Sequence, residues 1–343
     1  MITIAVAVYN VEAYIEKCIV SALNQDFEGD YEVLVVDDCG QDNSIGIVER
    51  LASTHPNGRR IRIVHHEQNI GTGAARNTGI DEAKGEYICF LDGDDYMAPN
   101  ALRLFYEAMV DSNADIVVSN HYRIYPDGKI DSTTNNRPGI VKSEYAVVEW
   151  IRYNNSDFYP LAMWNKLFRT SFLRDNGIRC VPWHRYEDPF FSLQTAFIAK
   201  SIITIPELTY YWVLTNGSCT HSEVTDSHVN QFYDMIDRSL ALCEEKRKEG
   251  KAVPKEIYWL LTHLFFWTVT TKRTLKSSAI TKKQKKEYLD HVKEITHHIK
   301  RREETTWKHK AVHTIVRMPC SYQLMKLFAF GLETVEALKN KIK

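Results

Sequence analysis

The chain opens on an almost unbroken apolar run, Ile2-Thr3-Ile4-Ala5-Val6-Ala7-Val8, which predicts a central strand covered on both faces. The run stops at Tyr9-Asn10. From Val11 to Asn24 the spacing turns helical: Ile15, Ile19, Ala22 and Leu23 share one stripe, and Glu12, Glu16 and Lys17 face elsewhere. The alternation then repeats. A strand from Tyr31 to Val36 ends in Asp37-Asp38 and a polar loop, and a helix follows with Asp42 as N-cap and Ile47, Val48 and Leu51 inward. A third strand, Ile61 to His65, leads through Asn69-Ile70-Gly71-Thr72-Gly73 into a helix of small residues, Ala74 to Ala83. A fourth, Tyr87 to Leu91, runs into Asp92-Gly93-Asp94-Asp95. Behind Pro99 comes a helix, Ala101 to Val110, and then a fifth strand, Ile116 to Ser119. Repeated β-α units with right-handed crossovers predict a Rossmann-like, three-layer α/β/α, mostly parallel sheet. Ligands of such sheets bind at the carboxyl ends of the strands, where Tyr9, Asp38, Asn69 and Asp92 to Asp95 gather.

After Asn120 the regular pattern breaks. Tyr122 to Tyr125, the turn Pro126-Asp127-Gly128 and Ile130 predict a hairpin, followed by a polar loop from Asp131 to Pro138. Further on the spacing predicts a helix over Ser143 to Tyr153, a short strand over Trp164 to Phe168, and a short helix, Ser171 to Asn176, closed by Gly177. Another helix starts at Tyr186-Glu187-Asp188-Pro189 and reaches Ala199, and two strands follow, Ile202 to Ile205 and Tyr210 to Leu214. Beyond the loop Thr215 to His221 the chain reads as helices: Val229 to Glu245, Ile257 to Leu275, Lys282 to Arg302 and Ser321 to Leu338. The boundary is placed near residue 222, giving an α/β domain over 1–222 and a C-terminal α-helical extension over 223–343.

Charge sharpens that division. Residues 1–250 hold 23 Lys and Arg against 36 Asp and Glu, a net of −13, whereas residues 251–343 hold 20 against 8, a net of +12. No stretch reaches the roughly 18 apolar residues needed to cross a bilayer, and the N-terminus lacks a basic flank and cleavage site, so the expected location is the cytoplasm. Seven scattered cysteines without a C-x-x-C pair argue against a disulfide framework and a thiolate zinc site. Thirteen histidines supply no H-E-x-x-H spacing, which argues against zinc hydrolase chemistry.

The acidic segment carries the chemistry. Three carboxylates within four residues repel unless a cation or ordered donors hold them, and Asp92 and Asp94 offer hard oxygens suited to Mg²⁺ or Mn²⁺. Together with the carboxylate of Asp38, the positive charge of Arg76 and the ring of Tyr9, they suit a nucleoside diphosphate. Neither G-x-x-x-x-G-K-[ST] nor G-x-G-x-x-G is present, so the phosphates are expected to be held through metal rather than a glycine-rich cradle.

The ordered set Ala7-Val8-Tyr9-Asn10, Glu12, Val36-Asp37-Asp38 with Asp42-Asn43-Ser44, Asn69-Ile70-Gly71 with Ala75-Arg76-Asn77-Thr78-Gly79, Phe90 to Asp95, Trp164-Asn165-Lys166-Leu167-Phe168 and Glu187-Asp188 resembles the motifs of family 2 inverting glycosyltransferases with the GT-A fold. The resemblance spans roughly 220 residues. It implies inverting transfer of a sugar from a nucleotide-sugar, most often UDP-linked, to a hydroxyl of a glycan or lipid-linked acceptor in surface-polysaccharide synthesis. Under it Asp188, beside Glu187, is the general base, and Asp94 and Asp92 bind Mn²⁺ or Mg²⁺. Ala7, Val8, Tyr9, Glu12, Asp38, Asn69, Arg76, Asp92 and Ser218 meet the donor, with Asp38 reading uracil and Arg76 supporting the base side of the pocket. Trp164, Asn165 and Lys166 face the acceptor. The chain departs from the family pattern twice: Cys39-Gly40-Gln41-Asp42 stands where many relatives have Gly-Ser-Thr-Asp, and Gly93 replaces the more usual Ser or Ala.

Two rival readings differ in class. A sugar-1-phosphate nucleotidyltransferase would need a basic, glycine-rich loop after the first strand, and Tyr9 to Ala13 offers none. A binding protein without turnover is opposed by the intact Asp92, Asp94 and Asp188. The basic helices, with cationic and apolar faces, are suited to anionic lipid, to packing on the acidic body or to self-association. Nucleic acid is disfavoured because no nucleic-acid motif accompanies the charge.

Overall fold

The computed structural model describes residues 1–133, 136–154, 162–182, 187–215, 223–254 and 277–298, together with Ile257, Thr274 and Leu275. The chain divides into two compact units, Met1–Ser218 and Cys219–Lys343.

The first unit is built on one sheet of ten strands. Its first half alternates as the apolar pattern predicts: β1 (Ile2–Val8), α1 (Glu12–Leu23), β2 (Tyr31–Asp37), α2 (Ser44–Thr54), β3 (Ile61–His65), α3 (Thr72–Glu82), β4 (Tyr87–Asp92), the short β5 (Tyr96–Met97), α4 (Ala101–Ser112) and β6 (Ile116–Ile124). Then come β7 (Ile130–Thr133), β8 (Gly139–Lys142), α5 (Ala146–Asn154), β9 (Lys166–Arg169), α6 (Thr170–Asp175), α7 (Glu187–Ile198) and β10 (Ser201–Val213). The strand order is β3-β2-β1-β4-β9-β6-β10-β5, with β7 beside β6 and β8 beside β10.

Strands β3, β2, β1 and β4 are parallel throughout, as is the β6–β10 pair. The second half of the sheet is more mixed than the βα repeats suggested. β9 runs against both β4 and β6, and β5, β7 and β8 are antiparallel to their partners. The hairpin explains one of these: Gly128 N–H bonds back to the Tyr125 carbonyl and Tyr125 N–H to the Lys129 carbonyl, and so tight a turn can only return antiparallel. A second difference is β10, one long strand where the sequence suggested two. Its register on β6 shifts between Thr204 and Tyr210, around Pro206, which has no N–H for the ladder.

Period-two alternation sorts the side chains between two helix layers. Ile4, Val6, Val33, Val35 and Leu91 pack against Ile15 and Ile19 of α1, Val48 of α2 and Phe105 of α4. On the opposite face Leu34 and Val36 pack on Ala75 of α3. Phe90 points the same way and meets Phe168 and Phe191 edge-on at 6.1 and 6.3 Å, which seats α7 over the sheet. Helix α3 needs its small residues: a Cβ on Gly73 would fall 1.9 Å from the Val181 carbonyl oxygen, in the segment that leads towards α7.

In the second unit α8 (Asp226–Lys248) begins with a capping box between Thr225 and His228, and its Phe232 and Tyr233 rings lie 6.2 and 6.0 Å from Tyr288 of α9 (Lys282–His298). Lys282, Lys283 and Lys286 are exposed on α9. Most of the helix expected over Ile257 to Leu275, the helix expected over Ser321 to Leu338, and the loop residue Ser218 lie outside the described residues.

Candidate active site

The carboxyl ends of β1 to β4 converge on one edge, where Ala7 of β1 pairs in register with Val36 of β2 and Asp92 of β4. Val8 is buried, whereas Tyr9 just beyond it and Ile70 across the edge are 43% and 41% exposed. Two apolar side chains thus stand open beside Asp38. The loops around them are held by side chains on backbone N–H groups. Asn10 Oδ1 accepts from Gln41 N–H at 2.7 Å, Glu12 N–H donates to Asp42 Oδ2 at 2.8 Å, and Glu12 Oε2 accepts from Asn43 N–H at 2.9 Å. The last two clasp the starts of α1 and α2 together.

Asp38 is buried, and its carboxylate accepts from Ile70 N–H at 3.0 Å and Gly71 N–H at 2.9 Å and meets His66 Nδ1 at 2.8 Å. About one of its four lone-pair positions is left for a ligand. Asn69 lies half-buried in the loop these bonds fix. Cys39 stands in the left-handed region at φ 60°, where glycine is favoured. Cys39→Gly is expected to stabilise the chain by about 0.5–1 kcal/mol, because the cost of φ > 0 outweighs the added freedom of the unfolded chain. A urea midpoint at or below wild type would sink that expectation.

The three carboxylates after β4 have three different surroundings. Asp95 is buried and pinned by β10, accepting from the Tyr210 hydroxyl and Val213 N–H, both at 2.7 Å. Asp92 Oδ1 accepts from Arg76 Nη2 at 2.7 Å. Asp94, among the described residues, receives no hydrogen bond or ion pair from another side chain, and burial with Asp92 beside it pushes its carboxyl up to about 6. Gly93 between them is packed: a Cβ there would come 3.0 Å from Val11 Cγ2 and 3.2 Å from the Ala7 carbonyl oxygen.

Arg76 lies on the sheet-facing side of α3 and is 5% exposed. One guanidinium gathers three acids: Nη2 donates to Asp92, and Nη1 donates to Glu187 Oε1 at 2.7 Å and Asp188 Oδ1 at 2.8 Å. Burial works against its charge, but Asp188, Asp92 and Glu187 overrule that and raise its pKa. Glu187 and Asp188 occupy the first turn of α7, where the helix dipole favours negative charge. Burial raises both carboxyls above their ordinary values, with Arg76 opposing. Asp188 also accepts from the backbone of Met163.

Met163 leads into Trp164, which stacks on Tyr210 with centroids 4.8 Å apart and lies 5.7 Å from Trp212. Of the residues expected at the acceptor, Trp164 is half-buried, while Asn165 and Lys166 are 2% and 1% exposed. Asn165, at φ 54°, donates to the Ser119 carbonyl at 2.7 Å. The Lys166 ammonium bonds to the Ala162 carbonyl and Asn165, and burial pulls its pKa down to about 7 against the pull of Asp188. Sequence reasoning overlooked Tyr210 and His66. His66 was signalled only by its position just past β3, and Tyr210, inside β10, by nothing in the sequence.

Asp92 and Asp94 fit a divalent cation. Both are hard oxygen ligands at a strand end, one keeps an oxygen clear of Arg76 and the other is unpaired. Among the described residues no three His, Cys, Asp or Glu are grouped as a metal cage. Two carboxylates completed by phosphate oxygens and water are the usual setting for such ions.

The doubly covered α/β sheet, with an acidic strand end and a second carboxylate pair on a facing helix, has the architecture of the GT-A fold. Residues 3–174 match the family model for Glycosyl transferase family 2, and the chain belongs to that family. It is 31% identical over 216 residues to the putative glycosyltransferase EpsH of Bacillus subtilis (strain 168), covering 62% of this chain and 60% of the relative. It is 27% identical over 239 residues to the poly(ribitol-phosphate) beta-N-acetylglucosaminyltransferase TarS of Staphylococcus aureus (strain Mu50 / ATCC 700699), covering 68% of this chain and 39% of that one. The chain therefore spans under two thirds of the length of both. In fold it matches the crystal structure of S. aureus TarS 1–349 in complex with UDP-GlcNAc, with a TM-score of 0.75 at 20% identity over 95% of this chain and 90% of that one. The chain is thus a member of the glycosyl transferase family 2, similar over part of their length to enzymes named for transfer to poly(ribitol-phosphate). Among the described residues no helix is long and apolar enough to cross a membrane.

Proposed function

We propose that this chain transfers a sugar with inversion from a UDP-sugar to a hydroxyl of a surface glycan or its lipid-linked precursor, in the cytoplasm. The observation that carries the reading is the Arg76 cluster, which ties a phosphate-side carboxylate, Asp92, to the candidate base, Asp188, through one guanidinium. The relatives named for transfer to poly(ribitol-phosphate), and the neighbour holding UDP-GlcNAc, support the donor and acceptor class.

Asp188 takes the proton of the acceptor hydroxyl as the hydroxyl oxygen attacks the anomeric carbon and the bond to the diphosphate breaks. Burial raises its pKa, which makes it a stronger base than an ordinary aspartate. Tyr9 and Ile70 flank the nucleobase, and Asp38 uses its remaining lone pair on a uracil N–H. Ala7, Val8, Glu12 and Asn69 shape the donor pocket through the loops they hold, and Ser218 is assigned to the donor. Trp164 meets the acceptor directly, and Asn165 and Lys166 hold the turn that presents it. Bound Mn²⁺ or Mg²⁺ on Asp94 and Asp92 would neutralise charge on the departing diphosphate. A neighbour at 17% identity and TM-score 0.54, the mannosyltransferase PcManGT from Pyrobaculum calidifontis, carries Mn²⁺ with GDP-Man. The exposed lysines of α9 are assigned to peripheral contact with anionic lipid or to self-association.

The test is calorimetric titration with UDP, GDP and CDP, with and without Mn²⁺, on wild type and Asp94→Asn. UDP binding that requires Mn²⁺ and weakens at least about tenfold in the variant is the expected result, a loss of about 1.4 kcal/mol. Failure of every nucleotide to bind would overturn the reading.

A further inference from the structure

Beside Trp164 the aromatic surface continues to a cation, Arg123, that no carboxylate among the described residues neutralises. Arg123 and His121 share a face of β6, in register with Trp212 and Tyr210 of β10. The Arg123 guanidinium lies over the Trp212 ring at 5.0 Å, and Nη1 reaches only the Tyr125 hydroxyl, at 3.5 Å. Its Nε is out of contact with water and has no hydrogen-bond partner, and no Asp or Glu among the described residues pairs with it. His121, 8% exposed, likewise leaves Nε2 without a partner, edge-on to Trp164 with centroids 4.8 Å apart. Buried polar atoms of a folded protein are nearly always met, so two unmet ones on neighbouring positions of one face mark a place for a ligand.

The patch adjoins the chemistry on two sides. Tyr210, at its base, donates to Asp95 of the acidic loop, and Trp164 follows Met163, whose backbone bonds Asp188. A molecule lying on Trp164 therefore borders both the candidate base and the phosphate side. A guanidinium over an indole keeps its donors available, and their spacing matches the paired oxygens of an oxyanion. A dedicated cation is also what an anion would need on a segment whose net charge is −13 over residues 1–250.

We propose that this face is the acceptor subsite and that Arg123 takes an oxyanion of the acceptor, phosphate or carboxylate, while Trp164 and Trp212 lie under the sugar or polyol that carries it. The assignment rests on the glycosyltransferase reading above.

The experiment titrates the full chain, in UDP and Mn²⁺, with ribitol 5-phosphate, ribitol, glucuronate and glucose, on wild type, Arg123→Gln and Arg123→Lys. At least one anionic probe is expected to bind about tenfold more tightly than its neutral counterpart, the size of one charge-assisted hydrogen bond. The better of the two anions tells phosphate from carboxylate. Arg123→Gln is expected to erase that preference with UDP affinity unchanged. Arg123→Lys keeps the charge without the fork and falls between; it also serves if the glutamine variant does not fold. Equal binding of charged and neutral probes, no saturable binding of either anion, or a preference that survives Arg123→Gln overturns the proposal. So does a variant that weakens UDP instead, which would give the cation to the donor diphosphate. Absence of UDP binding in wild type is read separately and overturns the donor reading on which the subsite rests.

Discussion

Arg76→Ala is expected to destabilise the catalytic unit by about 3–5 kcal/mol and to abolish transfer, because it leaves buried acids without their counter-charge. Asp92, Glu187 and Asp188 all turn to one guanidinium that is 5% exposed. Without it three like charges face one another in a poorly hydrated space, and each is favoured only when protonated. The deficit in the variant should therefore shrink as pH falls, the reverse of ordinary acid denaturation. Arg76→Lys keeps one positive charge but cannot offer separate donors to three carboxylates, so it should recover part of the stability and little of the activity. Thermal unfolding of the three proteins between neutral and mildly acidic pH reads this directly. A wild-type melting point for Arg76→Ala at neutral pH would show that the cluster is not held as described.

Asp188→Asn is expected to lower transfer about 10²–10⁴-fold while leaving UDP affinity and the melting point near wild type. The amide still fits beside Arg76 and can still accept from the Met163 backbone, but it cannot take a proton. Burial raises the Asp188 pKa, so the wild-type rate should rise with pH through a limb lying above the ordinary aspartate range, and that limb should vanish in the variant. If Asp188→Asn keeps full transfer and Glu187→Gln loses it, the base is Glu187.

The strands and the loops at their ends were legible because apolar runs punctuated by polar residues at 9–10, 37–44 and 92–95 leave little choice of fold. What was not legible is what those side chains hold. Asp38 looks like a free carboxylate, yet its oxygens meet the N–H groups of Ile70 and Gly71, and no sequence pattern says which backbone amides a fold will turn inward. Arg76 could be suspected of pairing with a nearby acid such as Glu82. Glu82 instead meets Arg62, and Arg76 reaches acids more than a hundred positions away. The mixed half of the sheet escaped for a similar reason: β9 is short and runs antiparallel between β4 and β6, although α5 and α6 flank it in sequence as helices flank a parallel strand.

The Arg76 cluster also has an order in time. Asp92 lies 16 residues from Arg76, whereas Glu187 and Asp188 lie 111 and 112 away. At about 5–20 residues per second, a ribosome delivers the α7 acids roughly 5–20 s after the first pair can meet. The first partner of the guanidinium is therefore made well before the α7 acids that complete the cluster. The candidate base thus takes its place only after every strand from β1 to β9 has been made.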